Sequence, residues 1–246
     1  MKFIQNYNIR WHDTNANREI TPSAILTFMQ ETTNMHIQTM YPNLEYIRDV
    51  LHQAFILSKV YLRFYEPAYA YDDITVETWT GVESRGFTFY RSFCVKKDDK
   101  IIADALTTWC LIDTVEHKLL PVTKFENNFV DEKSIEIEMP RKIKFPIDTP
   151  LELVDKRKIY YSDIDYNLHM NNTHYPNMLI DFLPSPEKYR VKEIMMSFIK
   201  GSMYNDEIDV YRAELLDTYY YKTLNSQQNT CLEAFIKTEK QENIIK

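Results

Sequence analysis

The run Asp163-Ile164-Asp165-Tyr166-Asn167-Leu168-His169 has an echo near the start of the chain, Asp13-Thr14-Asn15-Ala16-Asn17-Arg18-Glu19. Sliding the sequence by 150 positions, to set Asp163 on Asp13, also sets Ile159 on Ile9, Tyr161 on Trp11, Asn171 on Thr21 and Asp181 on Glu31 without a gap. A second displacement, of 134 positions, sets Asp206 on Asp72, Phe198 on Phe64, Ile208 on Ile74 and Val210 on Val76. Each match alone is weak. Their common order, a polar loop, a helix and then strands, describes an internal duplication, in which one supersecondary unit is built twice. The change from 150 to 134 means that the first half carries a longer helix-to-strand insertion.

The elements around these anchors follow from periodicity. Thr21 is a good N-cap and Pro22 suits the first helical position. Ile25, Phe28, Met29, Thr32 and His36 follow at helical spacing, so a helix is expected from Pro22 to Met40, stopped by Pro42. Strands are expected over Ala54–Tyr65, with Ile56, Val60, Leu62 and Phe64 on one face, and over Ile74–Thr80, Phe87–Val95 and Ile101–Asp113. Lys97-Asp98-Asp99-Lys100 reads as a hairpin tip. From about Thr114 to Pro150 prolines punctuate a connection between the halves. The second half repeats the order: a lead-in strand at Arg157–Ser162, a helix at Thr173–Phe182, and strands at Val191–Ile199, Glu207–Leu216, Thr218–Leu224 and Thr230–Thr238. Pro176 is tolerable only in that helix's first turn. The fold class is therefore α+β, with each antiparallel sheet wrapping its helix and the two units joined edge to edge or helix to helix. The expected division is residues 1–130 for the N-terminal unit, 131–156 for a linker and 157–246 for the C-terminal unit.

Composition excludes several functions. The chain has 246 residues, 44% of them hydrophobic, enough for a sizeable core. With only three glycines it has no GxGxxG or GxxxxGK[ST] phosphate loop, which disfavours a nucleotide-binding enzyme. A net charge of −7 disfavours nucleic acid as a partner. The charge is uneven: Arg141, Lys142, Lys144, Lys156, Arg157 and Lys158 outnumber the acids between Pro140 and Lys158, which reads either as a solvated linker or as a docking surface for an acidic partner. Cys94, Cys110 and Cys231 are odd in number and widely spaced, without metal-binding pairs, and fit inert thiols in a reducing cytoplasm. No signal peptide and no membrane-spanning run are expected.

Chemistry is expected at Asp165, Asn167 and His169. If this segment is extended, the three alternate onto one face just before a helix N-terminus. An imidazole titrates near neutrality and can take a proton from water. A carboxylate can orient it, and backbone N–H groups at the helix start can meet a developing oxyanion. Other readings stand beside this one. A calcium loop would need glycine and glutamate where Leu168 and His174 stand. A metal site would use Asp163, Asp165 and His169. A purely structural turn would use the Asx residues as caps, yet such a cap has no need of a histidine in one copy and Glu19 in the other. The remaining histidines, His12, His36, His52, His117 and His174, read as packed or edge residues.

Asp163-Ile-Asp165-Tyr-Asn167-Leu-His169-Met-Asn171-Asn172-x-x-Tyr175 resembles the signature of the bacterial and plastid acyl–acyl carrier protein thioesterases, and Thr78-Trp79, Arg91-Ser92-Phe93 and Trp109-x-Leu111-Ile112-Asp113 resemble the same family's first half. The resemblance covers nearly the whole chain. It implies a double hotdog fold and hydrolysis of an acyl–acyl carrier protein thioester to a free fatty acid, which ends chain elongation. The implied catalytic residues are Asp165, Asn167 and His169, with no cofactor and no metal. The implied partner is an acyl-loaded carrier protein, and a homodimer is allowed. One position departs from the family: aligning Tyr204-Asn205-Asp206 puts Gly201 and Ser202 where the family carries a glutamate and, in plastid members, a cysteine. Water activation then falls to His169 and Asp165 alone, or to a carboxylate elsewhere in the chain. The aromatic and Met-rich residues Phe28, Met29, Phe55, Phe64, Phe87 and Phe89 read either as core or as the wall of an acyl pocket. An acyl-coenzyme A thioesterase, a hydratase or dehydratase on the same fold, and an inactive acyl-thioester binder are the alternatives.

Overall fold

The computed structural model describes residues 2–125 and 132–241. The expected boundary at 130/131 lies outside the described residues, as does the end of the chain from 242. Eleven strands form one antiparallel sheet in the order β1-β3-β4-β5-β2-β8-β11-β10-β9-β7, with β6 beside β5. The first half supplies β1 (Phe3–Asn8), β2 (Gln53–Phe64), β3 (Asp73–Thr80), β4 (Phe89–Lys97), β5 (Lys100–Asp113) and β6 (Lys118–Leu120). The second supplies β7 (Glu152–Lys158), β8 (Tyr189–Phe198), β9 (Glu207–Leu215), β10 (Thr218–Asn225) and β11 (Thr230–Lys240). Read outward from the middle, the two halves mirror each other.

The middle is the pairing of β2 with β8, in which Lys59, Val60, Tyr61, Leu62 and Arg63 face Ser197, Met196, Met195, Ile194 and Glu193. Tyr61 and Met195, which correspond under the displacement of 134, face each other, so a pseudo-twofold axis passes between them. Both strands carry a bulge at corresponding positions. The β2–β5 register slips between Leu57 and Lys59, and the β8–β11 register slips so that Lys192 is left over. A bulge adds one residue and turns the strand over. It buries Leu57 and leaves Ile56 exposed, whereas strict alternation had placed Ile56 with Val60 and Leu62. Phe87 is corrected similarly: it precedes β4 and is exposed.

Helix α1 (Pro22–Gln38) matches its expected start. Thr21 Oγ1 accepts from Ala24 N–H at 3.1 Å, and the proline stands at N1. The sheet surrounds it, so Ile25, Phe28, Met29, Thr32 and His36 are all buried. After the cis Tyr41–Pro42 bond, a short helix α2 (Leu44–Asp49) is capped by Asn43. The counterpart of α1 is a single 3₁₀ turn, Asn172–His174, running into α3 (Tyr175–Asp181), with Pro176 in the first turn. The shorter second helix and the absence of an α2 equivalent account for the change from 150 to 134. The lead-in strand expected at Arg157–Ser162 lies earlier, as β7, and residues 161–163 form a 3₁₀ turn. The central connection runs over the sheet: Trp79 Nε1 donates to Lys133 O (2.9 Å), Lys59 Nζ to Pro140 O (3.3 Å), and the Phe145 ring meets Tyr220.

Two apolar clusters result. The larger joins α1, α3 and the inner face of both halves, with Met29, Leu62, Phe93, Met178, Met196 and Tyr221 among its members. The smaller, Ile37, Ile47, Leu111 and Phe125, lies under α2 and gathers Leu44, Phe55, Phe89 and Leu120. The aromatic stripe expected from sequence is thus divided: Phe28, Met29 and Phe64 belong with the main core, Phe55 and Phe89 with the second cluster. No helix among the described residues is long and apolar enough to cross a membrane.

His36 is buried, and its Nδ1 lies 3.0 Å from Arg91 Nη1. A guanidinium only donates, so Nδ1 accepts and the ring is neutral. Burial first and the Arg91 charge second lower its pKa to about 4. The unfolded chain protonates this ring near the usual 6.5. The stability tied to neutral His36 is therefore full above that value and is lost as pH falls toward 4. Between pH 7 and 5 the loss should be about 2 kcal/mol, and a His36→Gln chain should lack that component; urea titrations of both proteins across this window measure it.

Candidate functional site

The duplicated loop is the same backbone made twice. In the second copy Asp163 is buried; its carboxylate accepts from Tyr160 N–H (3.0 Å) and from Arg157 Nη2 (2.8 Å). In the first copy Asp13 accepts from Arg10 N–H and from the Arg10 guanidinium, each at 2.9 Å. Next comes a tight turn: Leu168 N–H donates to Asp165 O (3.0 Å) and Asp165 N–H to His169 O (2.9 Å), as Arg18 does to Asn15 and Asn15 to Glu19. Leu168 and Arg18 both have positive φ, +65° and +62°. Met170 N–H then donates to Ser202 O as Ile20 does to Ala68 O, each at 2.8 Å.

This geometry corrects the extended reading of the segment. Asp165 Oδ1 accepts from Asn167 N–H at 2.8 Å, an Asx turn in which a short acidic side chain substitutes for backbone. The chain doubles back, and Asp165 and His169 face each other across the neck of the turn while Asn167 stands at its tip. Asn167 and His169 are exposed and Asp165 is half-buried. Among the described residues no hydrogen bond joins the Asp165 carboxylate to the His169 ring; the carboxylate holds the turn. The helix start behind it is also occupied, because Asn171 Oδ1 accepts from Thr173 N–H (3.0 Å) and Oγ1 (2.9 Å). The His169 backbone pairs with Met203, and its ring lies against Gly201. Under this strand Tyr175 OH donates to Ser202 Oγ (3.3 Å), with Ser202 fully buried.

The side chains distinguish the two copies. Glu19, at the position of His169, is buried and accepts from both Arg190 Nε (3.0 Å) and Nη2, and from Gln241 Nε2 (3.1 Å). Asn17, at the position of Asn167, donates to Gln241 Oε1 (2.8 Å). These bonds pin the first loop to β8 and β11 of the other half. Under the pseudo-symmetry Arg190 corresponds to Ile56. Gln241 N–H donates to Lys188 O, the counterpart of Ala54, whose partner is Ile112, so Gln241 corresponds to Ile112. Where the first loop meets an arginine and a glutamine, isoleucines stand at the two corresponding positions of the other half, and among the described residues no side-chain hydrogen bond ties Asn167 or His169. Sequence comparison flagged Glu19 against His169, but Arg190 lies 171 positions from Glu19 and no local signal pairs them.

Other candidates find different places. His12 and His174 line a polar cavity of about 410 Å³ between the starts of α1 and α3, with Asp13, Arg157 and Asp181. Burial raises the Asp181 pKa there, against the pull of Arg157. Burial raises the Cys94, Cys110 and Cys231 thiols, and all three are unpaired. Among the described residues no three His, Cys, Asp or Glu side chains are grouped to hold a metal ion. Of the basic run, Arg157 is held by Asp163 and Lys156 by Asp209 (3.1 Å).

Residues 1–128 match the family model described as the acyl-ACP thioesterase N-terminal domain, and residues 152–245 match the acyl-ACP thioesterase C-terminal domain. An oleoyl-acyl carrier protein thioesterase of Coriandrum sativum is 20% identical over 85% of this chain and 62% of its own length. An acyl-[acyl-carrier-protein] hydrolase of Cuphea viscosissima is 22% identical over 78% and 49%. The chain thus spans half to three-fifths of these relatives. The fold is shared with an acyl-ACP thioesterase from Bacteroides thetaiotaomicron (TM-score 0.87, 19% identity, 97% of this chain and 98% of that one) and with a 12:0-ACP thioesterase from Umbellularia californica (TM-score 0.83, 14% identity, 98% of each).

The Glu19–Arg190 latch is half-buried, so removing one partner strands a charge. Arg190→Met should lower unfolding stability by about 1–3 kcal/mol, read from denaturant midpoints. An unchanged midpoint would show that the latch contributes nothing.

Proposed function

The chain belongs to the acyl-ACP thioesterase family, and on that premise we propose that it hydrolyses the thioester of an acyl–acyl carrier protein, with His169 as the base. The observation that carries this reading is the asymmetry of the duplicated loop: one copy is bolted shut by Glu19, Arg190 and Gln241, while the other presents an exposed imidazole and an exposed amide. His169 takes a proton from water, and the oxygen bonds to the thioester carbonyl carbon. The Asn167 side-chain amide, which has no partner among the described residues, donates to the carbonyl oxygen as it gains charge. The C–S bond then breaks, and the departing sulfur recovers the proton from the imidazolium, leaving a fatty acid and the carrier thiol. A thiolate is a stable leaving group, so this spare machinery suffices. Asp165 holds the turn that presents both side chains. The cluster of Phe55, Phe89 and Phe125 under α2 is the apolar surface proposed for the acyl chain. Three unpaired cysteines suit a reducing compartment, and the cytoplasm is the proposed location.

His169→Ala should reduce turnover by at least about a hundredfold while the protein folds normally. Free thiol release from acyl–acyl carrier protein and from acyl-coenzyme A, measured side by side, tests the base and the carrier together. Full activity in the variant would remove His169 from the mechanism, faster release from coenzyme A would change the substrate, and binding without release would make the chain an acyl-thioester binder.

Carrier proteins are acidic partners in this reading. Arg157 is held by Asp163 and the exposed Lys156 pairs with Asp209, whereas Lys158 is exposed with its ammonium 6.0 Å from the Tyr160 ring. Lys158→Glu should raise KM for the acyl–carrier substrate at low salt, with the difference shrinking as ionic strength rises. A KM indifferent to both would place docking elsewhere. Arg157 is unsuited to this test, because its reversal would break the bond to Asp163.

A further inference from the structure

We infer that Gly201 is a positioning residue for the His169 imidazole, which rests on the bare backbone where a side chain would otherwise project. A Cβ built at Gly201 would fall 2.4 Å from His169 Cδ2 and 2.9 Å from both Cγ and Nε2. No Cβ tolerates such distances, and with the backbones on both sides tied it is the ring that would have to turn aside. Met170 N–H is bonded to Ser202 O (2.8 Å), and His169 pairs with Met203. The platform is fixed from below as well: Ile199 and Lys200 N–H both donate to Cys231 O (2.9 and 3.2 Å), and Ser202 is tied to Tyr175. Backbone conformation does not demand glycine here. Gly86 has φ +62° and open space around it, whereas Gly201 lies outside the left-handed region and is crowded by one side chain alone.

This accounts for the departure at position 201. A glutamate there would hold an imidazole by a hydrogen bond. In this chain the His169 ring has no hydrogen-bond partner among the described residues, and Asp165 is committed to Asn167. Contact with Gly201 sets the ring's direction instead. The inference rests on the reading of His169 as the base, and it concerns how that base is aimed.

The test compares Gly201→Ala in the full chain with the same change in a His169→Ala background. The readouts are thioester kcat and KM, melting temperature, and the ¹H–¹³C resonances of the His169 ring, assigned by their loss in His169→Ala. In the parent background Gly201→Ala should move the ring resonances and cut kcat by about tenfold to a hundredfold with KM little changed, because a displaced base misses the water. Melting should fall by at least about 2 °C. In the His169→Ala background, where the ring is gone, Gly201→Ala should leave melting unchanged. Ring resonances that stay in place, or an equal melting penalty in both backgrounds, would overturn the inference. A Gly201→Ala chain that moves the ring but keeps full kcat would also overturn it. If His169→Ala itself retained turnover, the base assignment would fall, and the ring resonances and melting cycle would still decide the contact.

Discussion

The backbone hydrogen bonds between β2 and β8 make one molecule of two halves. A five-stranded unit wrapped around its helix would leave one edge strand unpaired and the far side of the helix bare, and unpaired edges invite association. Here each half closes the other's edge. The pairing of Tyr61 with Met195 sets the pseudo-twofold axis, and everything functional follows from where that axis runs. It lays α1 against α3, and it brings the first loop against β8 and the end of β11. The first loop cannot form its latch within its own half.

Symmetry in the backbone makes the divergence of side chains informative. Both loops use a buried aspartate to accept from the chain three residues earlier, the same turn with a positive φ at its fourth residue, and the same bond to the segment that follows β2 or β8. That framework is structural in both copies. What differs is what faces it. The first copy has an acid and an amide meeting an arginine and a glutamine, and their bonds close the cleft. The second has an imidazole and an amide, and isoleucines stand at the positions that correspond to the latch residues. An isoleucine cannot supply the bonds that the arginine and glutamine make, so the imidazole and the amide stay exposed.

The contact of Gly201 with the His169 ring belongs to the same economy of contacts. Orientation of a base is commonly achieved by a hydrogen-bonding carboxylate. Here the Asp165 carboxylate accepts from its own turn, and the proposed support of the imidazole is van der Waals contact with a glycine. Such contact is steep with distance, so it directs a ring effectively as long as both backbones are fixed, and the bonds from Met170, Ile199, Lys200 and Tyr175 fix them.

Sequence by itself determined the duplication, the α1 helix with its Thr21 cap, the main strands and the loop carrying Asp165, Asn167 and His169, because each is written in local periodicity or in a repeat spacing. It failed where a local event broke the period. The bulge at Ser58 reversed Ile56, and the bond from Asn167 N–H to Asp165 Oδ1 folded an apparent strand into a turn. The short polar edge strand β1, the small helix α2 and the displaced β7 lacked enough apolar alternation to be read. Tertiary structure alone decided which loop is open, what latches the other, and what supports the imidazole. Those outcomes depend on Arg190 meeting Glu19, which requires β2 to pair with β8, and on Gly201 meeting His169, which requires the segment after β8 to cross the loop.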